Sequence, residues 1–334
     1  MHKLAAFVLA EVPKIKRGEV FQAKTLQSAP HYFSQTIPQQ LIVEKDGDFT
    51  IKAYAPHVLL AETAVEVEDV FSETAFDLRQ KLIDECHKKL KKKGGNFELS
   101  EEYAIGVVSG YRGDPEQFFN KAPQLASFLK SEKITLDEHE IEHTLQSQLK
   151  YAKDDLIIVD WDGAVVFEPS GEADAVVELL QLANLQLLRH RILDHDLDER
   201  LAKVGKLMRG KDVSELTLSR KELAEAFKEV INLRTQSILE FDSIERDIKL
   251  IGDWYFARLY DLAAKKFKIN NWRQVIKEKL DSIEDIYNIV SENFGFSRMH
   301  FLEMVQIVLF FVLQAGWFAL IILEFLYFTQ VAPH

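Results

Sequence analysis

Twenty consecutive uncharged residues, Met304 to Leu323 (MVQIVLFFVLQAGWFALIIL), constrain this chain more than any other feature. At about 1.5 Å per residue the run makes a helix roughly 30 Å long, the thickness of a bilayer's hydrocarbon core. Thirteen of the twenty are Leu, Ile, Val or Phe. On an insertion scale these contribute roughly −4 to −8 kcal/mol. A buried core helix would be shorter or amphipathic. Glu303 and Glu324 bracket the run, and Trp317 and Tyr327 lie towards its outer end, as interfacial aromatics do. The expectation is one C-terminal transmembrane helix over residues 301–328, a single-pass tail anchor. Arg298, against no Lys or Arg after the span, places the bulk of the chain on the cytoplasmic side. At about 100° per residue, Glu303, Gln306, Gln314 and Glu324 fall within an arc of roughly 80°. A polar stripe in lipid either faces another helix, favouring a homo-oligomer, or faces lipid at modest cost.

The remaining residues divide in two by pattern. LAAFVLAEV, QQLIVEK, FTIKAYA and YAIGVVSGY are short apolar or alternating runs bounded by turn residues, which reads as strands. VFSETAFDLRQKLIDECHKKL and DPEQFFNKAPQLASFLKSEK carry helical signals. Residues 1–169 are therefore expected to form an α+β or α/β globular domain. After Pro169-Ser170-Gly171, apolar residues recur at helical spacing for over thirty positions. Further such runs follow over Glu215–Ile251, residues 252–269 and Trp272–Val290. Residues 170–300 are expected to form a long-helix bundle or coiled-coil stalk.

The formal charge of −12 argues against nucleic acid as a partner. The basic run Lys88–Lys93 precedes Gly94-Gly95, and cations suit a helix C-terminus; a contact patch for anionic lipid or RNA is the alternative. The single Cys86 excludes an internal disulfide and fits a reducing compartment.

Three stretches imitate catalytic motifs. Asp160-Trp161-Asp162-Gly163 spells the aspartate-x-aspartate-glycine of haloacid-dehalogenase-type phosphotransferases, in which the first aspartate is the nucleophile. Here Ala164 replaces the usual threonine, and a second extended run follows at once. Asp162-Gly163 between two β-rich runs instead signals a hairpin, with glycine tolerating positive φ. HEIEH, His139 to His143, matches the zinc-protease pattern formally. Its neighbours Glu138 and Glu142 suit a solvated acidic face better. His190/Asp194 and His195/Glu199 are i,i+4 pairs that stabilise a helix, with a metal or pH-sensing site as the alternative. No Walker loop, dinucleotide fingerprint or serine elbow occurs. No catalytic residue, cofactor or metal is expected.

The order of parts resembles the required-for-meiotic-nuclear-division family of membrane-anchored proteins. That family has an apolar strand, an aspartate-aromatic-glycine turn and a second apolar strand. IIVDWDGAVVFEP resembles this with one extra residue, Asp162. The helical part then matches at Arg234, Trp254, Leu259-Tyr260, Arg273 and Lys279-Leu280, with His300, Leu302 and Glu303 directly before the span. The resemblance covers roughly residues 100–325, and departs from the family at Glu168-Pro169. It implies a non-enzymatic membrane tether; together with the polar stripe of the span, the expected function is a self-associating, tail-anchored membrane scaffold or assembly factor with an unknown protein partner. On that reading Asp160, Asp162 and Gly163 form a turn that hinges the head on the stalk. Two other functions are open. One is an oligomeric ion channel or transporter accessory lined by Glu303, Gln306 and Gln314, although the two spans and Gly-Met-Asn signature of stalked magnesium channels are lacking. The other is a metal-dependent phosphotransferase using Asp160 and Asp162.

Overall fold

A computed structural model describes residues 2–12, 22–24, 40–54, 57–209, 228, 231–232, 234–239, 241–242 and 254–331. Most of the helical run expected over Glu215–Ile251 lies outside the described residues. Nine strands form one mixed sheet in the order β2-β3-β4-β5-β1-β6-β9-β8-β7. They are β1 (His2–Glu11), β2 (Gln22–Lys24), β3 (Gln40–Asp46), β4 (Phe49–Tyr54), β5 (Val58–Val67), β6 (Asn96–Val108), β7 (Gln148–Leu149), β8 (Leu156–Val159) and β9 (Gly163–Phe167). Among the described strands only β6 and β9 pair in parallel.

The central strands are apolar on both faces because both are covered. Leu4, Ala6 and Val8 of β1 join Ala104, Ile158 and Val165 against α1 (Glu73–Lys92) and α2 (Ala122–Lys130). Ala5, Phe7 and Leu9 join Tyr103, Ile105, Val159 and Val166 on the opposite face. That face packs against α4 (Asp174–Arg209), α5 (Trp254–Lys266) and the start of α6 (Ile269–Val331). A mixed α/β sheet domain at the N-terminus and a helical C-terminal part are thus both present.

The Lys88–Lys93 run does end a helix. Ser72 caps the start of α1, its Oγ accepting from the Ala75 amide at 3.1 Å. Lys89, Lys91 and Lys92 fill the last turn, where the carbonyl ends of the helix attract cations. Lys89 pairs with Asp46 at 2.7 Å and Lys93 with Glu44 at 2.8 Å, which engages the run with β3.

The chain divides into two compact units, residues 1–198 with 238–278, and residues 199–237 with 279–334. The first contains the sheet and both of its helical layers. The second holds an Arg234–Glu284 ion pair at 3.0 Å and a hydrogen bond from Arg200 to Ser237 at 2.6 Å. The boundary expected at residue 169/170 therefore falls inside the first unit. Leu179, Leu182, Leu185 and Leu188 of α4 are core residues of the sheet unit, as are Leu259, Tyr260 and Ala263 of α5. A sheet face left bare by α1 and α2 needs an apolar cover, and these helices supply it.

Candidate functional sites at the hairpin and on the C-terminal helix

β8 and β9 pair antiparallel, Val159 opposite Ala164, and Asp160-Trp161-Asp162 closes the hairpin. The Asp160 amide donates to the Gly163 carbonyl at 2.9 Å. Asp160 itself is only 5% exposed. Its Oδ1 accepts from the Trp161 amide at 2.9 Å and from Lys266 Nζ at 3.1 Å. Oδ2 faces Lys130 Nζ at 3.8 Å, and Lys130 also pairs with Glu140 at 2.6 Å. The Tyr103 hydroxyl donates to the Asp160 carbonyl at 2.9 Å. Lys130 ends α2 and Lys266 ends α5, so one carboxylate ties both helical layers to the tip of the hairpin. A hinge between head and stalk needs a segment with few such ties. Asp160, Asp162 and Gly163 are instead a clasp inside the sheet unit.

Under the clasp lies Arg79, 1% exposed. Its Nη1 donates to the Phe128 carbonyl, and its Nη2 to the Asp162 carbonyl at 2.5 Å. The guanidinium carbon sits 5.1 Å from the centroid of the Phe128 ring, within range of a cation–π contact. Burial holds the Arg79 pKa down to about 10 against the upward pull of Asp162. Burial also raises the Asp162 carboxyl above its ordinary range, opposed by Arg79 and reinforced by Asp160.

Gly163 is required here for a different reason from the expected one. Its φ lies outside the left-handed region, unlike that of Gly47 or Gly171. A Cβ at this position would stand 3.0 Å from the Ala104 carbonyl oxygen and 3.5 Å from Arg79 Nη2. Glycine lets β9 lie close beside β6. Gly163→Ala should therefore lower the unfolding free energy by about 1–3 kcal/mol, the usual cost of overpacking. Chemical denaturation of the two proteins measures it, and equal midpoints would mean that the strand shifts freely.

The other imitations resolve into local structure. α3 (Glu138–Leu145) is capped by Asp137, whose Oδ1 accepts from the His139 amide at 2.9 Å. His139, Glu140 and His143 are all exposed. His190 is fully buried, its Nδ1 donating to the Gln186 carbonyl of its own helix at 2.7 Å. Among the described residues, no group of three or more His, Cys, Asp or Glu side chains could hold a metal. Burial pushes the Cys86 thiol up to about 12, the setting of an inert rather than a reactive cysteine.

The five helical positions carried by the resemblance are divided between the two units. Tyr260 is a core residue, and Trp254 is exposed with the Arg258 guanidinium 4.9 Å over its ring. Arg273 donates to Asn270 Oδ1 at 3.1 Å. These three belong to the sheet unit, whereas Arg234 and Lys279 belong to the other.

Sequence reasoning missed a polar cleft. A cavity of about 380 Å³ opens between β1, β4, β5 and the first turns of α4. On its floor Lys52 donates to Glu62 at 2.8 Å and to Gln181 at 3.2 Å, and Gln181 donates to Glu62 at 2.6 Å. The available signal is a lysine between Ile51 and Ala53 in a strand otherwise suited to the core.

Within Leu302–Tyr327 of α6 an 18-residue stretch reaches a mean hydropathy of 2.3, and none of its residues is buried. This helix is long and apolar enough to cross a membrane. Glu303, Gln306, Gln314 and Glu324 are all exposed on it.

Residues 48–174 match the protein family described as "Uncharacterized protein MJ0711, N-terminal domain". That span runs from the start of β4 to the first residue of α4 and includes Arg79, Lys130, Asp160 and Gly163. The chain is similar to the Uncharacterized protein MJ0711 of Methanocaldococcus jannaschii, 28% identical over 284 residues, or 85% of this chain and 82% of the relative. The likeness thus reaches well beyond the span of the family match. No solved structure matches.

Proposed function

We propose that this chain is a non-enzymatic membrane scaffold or assembly factor. Residues 302–327 anchor it in the bilayer, and the sheet domain with a helical bundle stands on the cytoplasmic side. The observation that carries the reading is the bare apolar helix. An isolated apolar surface of this size in water would drive aggregation, whereas a bilayer is the solvent it matches. Arg298 before the helix supports the sidedness. The resemblance to the required-for-meiotic-nuclear-division family supports a tethering role.

The hairpin supports the non-enzymatic part. A nucleophilic aspartate must present a free oxygen to its substrate. Here Oδ1 is held by Lys266, and Oδ2, although it accepts no hydrogen bond among the described residues, is buried with Lys130 Nζ 3.8 Å away, so neither oxygen is presented to a substrate. Crosslinking and pull-down from a detergent extract, with the full chain and with a form lacking residues 301–334, tests the proposal. The expected result is a protein partner recovered with the full chain in reproducible stoichiometry. Recovery of this chain alone, or magnesium-dependent phosphatase activity abolished by Asp160→Asn, would sink it.

A further inference from the structure

The apolar helix is polar at one depth where a bilayer supplies no water. Glu303 and Glu324 are separated by 21 positions, or about 32 Å along a helix. That matches the hydrocarbon thickness of roughly 30 Å, so in a membrane both carboxylates reach the hydrated boundaries. Gln314 lies eleven positions from one and ten from the other, which places it at the midplane. Gln306 stands only three positions inside Glu303, about 5 Å from the boundary. Both glutamines are exposed, and neither has a hydrogen-bond partner among the described residues. Phe310, Trp317 and Ile321 share their face at three- and four-residue spacing, as a packing seam between helices requires, so Trp317, three positions from the midplane, lies too deep to be the interfacial aromatic expected of it.

We propose that a second copy of this chain docks in parallel on this face, with the two Gln314 amides hydrogen-bonded to each other at the bilayer midplane. This inference rests on the anchoring reading above. Copies that insert the same way present the same residue at the same depth. A carboxamide carries both donors and an acceptor, so it is complementary to itself; a carboxylate is not. An unpaired amide in hydrocarbon is costly, and a second amide relieves it. The four polar residues of the stripe are therefore unequal. Gln314 dominates, Gln306 contributes less because water reaches it, and the two glutamates contribute little.

The test mixes donor- and acceptor-labelled full-length chains in phosphatidylcholine–phosphatidylglycerol vesicles and reads energy transfer against the protein-to-lipid ratio. Alkaline extraction of the same vesicles scores insertion. The expected result is saturable transfer by the unaltered chain. Gln314→Leu should weaken association roughly 3- to 20-fold, as loss of one interhelical side-chain hydrogen bond does in membranes. Gln306→Leu should weaken it less, Gln314→Asn should retain most of it, and Glu303→Gln should leave it unchanged. Chains that insert but show only random-proximity transfer overturn the pairing and leave the anchor standing. Equal association by Gln314→Leu overturns the pairing too. Transfer that appears only after a native membrane extract is added assigns the face to a different partner and also overturns it. Chains extracted at high pH overturn the anchoring reading, and the pairing with it.

Discussion

Arg79→Leu is expected to lower the unfolding free energy of the sheet unit by about 3–6 kcal/mol, from the loss of two buried hydrogen bonds with a charged donor at about 1.5–3 kcal/mol each. Among the described residues the guanidinium is the only side chain that donates to the Asp162 carbonyl, which also accepts from the Ala104 amide at 3.4 Å, and it also serves the Phe128 carbonyl. Leucine cannot donate, so both carbonyls lose a partner in a site that water reaches poorly. The ring of Phe128 loses its cation at the same time. Arg79→Lys keeps the charge but not the planar fork that reaches two acceptors, and should recover only part of the loss. Chemical denaturation of the full chain in detergent, followed by tryptophan fluorescence, measures the effect. Trp161 reports the hairpin directly, because its ring lies edge-on to Phe267 at 6.1 Å. A loss under about 1 kcal/mol would match an ordinary surface substitution and would refute the clasp.

The second large effect belongs to the apolar helix. Leu313→Arg places a charge beside the centre of the run. An arginine at the bilayer midplane costs about 2.5–3.5 kcal/mol on the insertion scale, and the leucine it replaces contributes roughly −0.6. The change of about 3–4 kcal/mol removes from roughly two-fifths to all of the roughly −4 to −8 kcal/mol that the Leu, Ile, Val and Phe residues supply. The inserted fraction should fall sharply, whereas Leu313→Ala should leave insertion nearly intact. Protease protection in a membrane-integration reaction reads both. Equal protection of Leu313→Arg and the unaltered chain would mean that this run is not in contact with lipid.

Much of the fold is legible from local pattern. Strands β1, β3, β4 and β6 and helices α1, α2, α4 and α5 follow from periodicity and caps, because those signals depend on neighbours a few residues apart. β5 escapes that reading. Its Leu59-Leu60-Ala61 run is continuous rather than alternating, the mark of a strand covered on both faces. The leucines of α4 show that the helix is buried on one side, but a helical stripe is the same whether it meets a helix or a sheet. That ambiguity put the boundary at Pro169 instead of leaving α4 in the sheet core. The hairpin at Asp160 was readable from its turn residues. Its chemistry was not, because Arg79, Lys130 and Lys266 converge on it from three helices far apart in sequence. The same holds for the cleft, where Lys52 and Gln181 meet across 129 positions.

The clasp also explains how an enzyme-like motif arises without enzyme geometry. A hairpin tip between two helical layers needs residues that turn the chain and bind cations from both sides, and aspartate does both. Glycine then lets the returning strand approach its neighbour.

Residues 302–327 are proposed to lie in a bilayer. Extraction of native membranes with alkaline carbonate tests it most directly, since that treatment strips peripheral proteins and leaves spanning helices in place. The full chain is predicted to stay in the membrane pellet, and a form lacking residues 301–334 to be released. Release of the full chain into the soluble fraction would contradict the account.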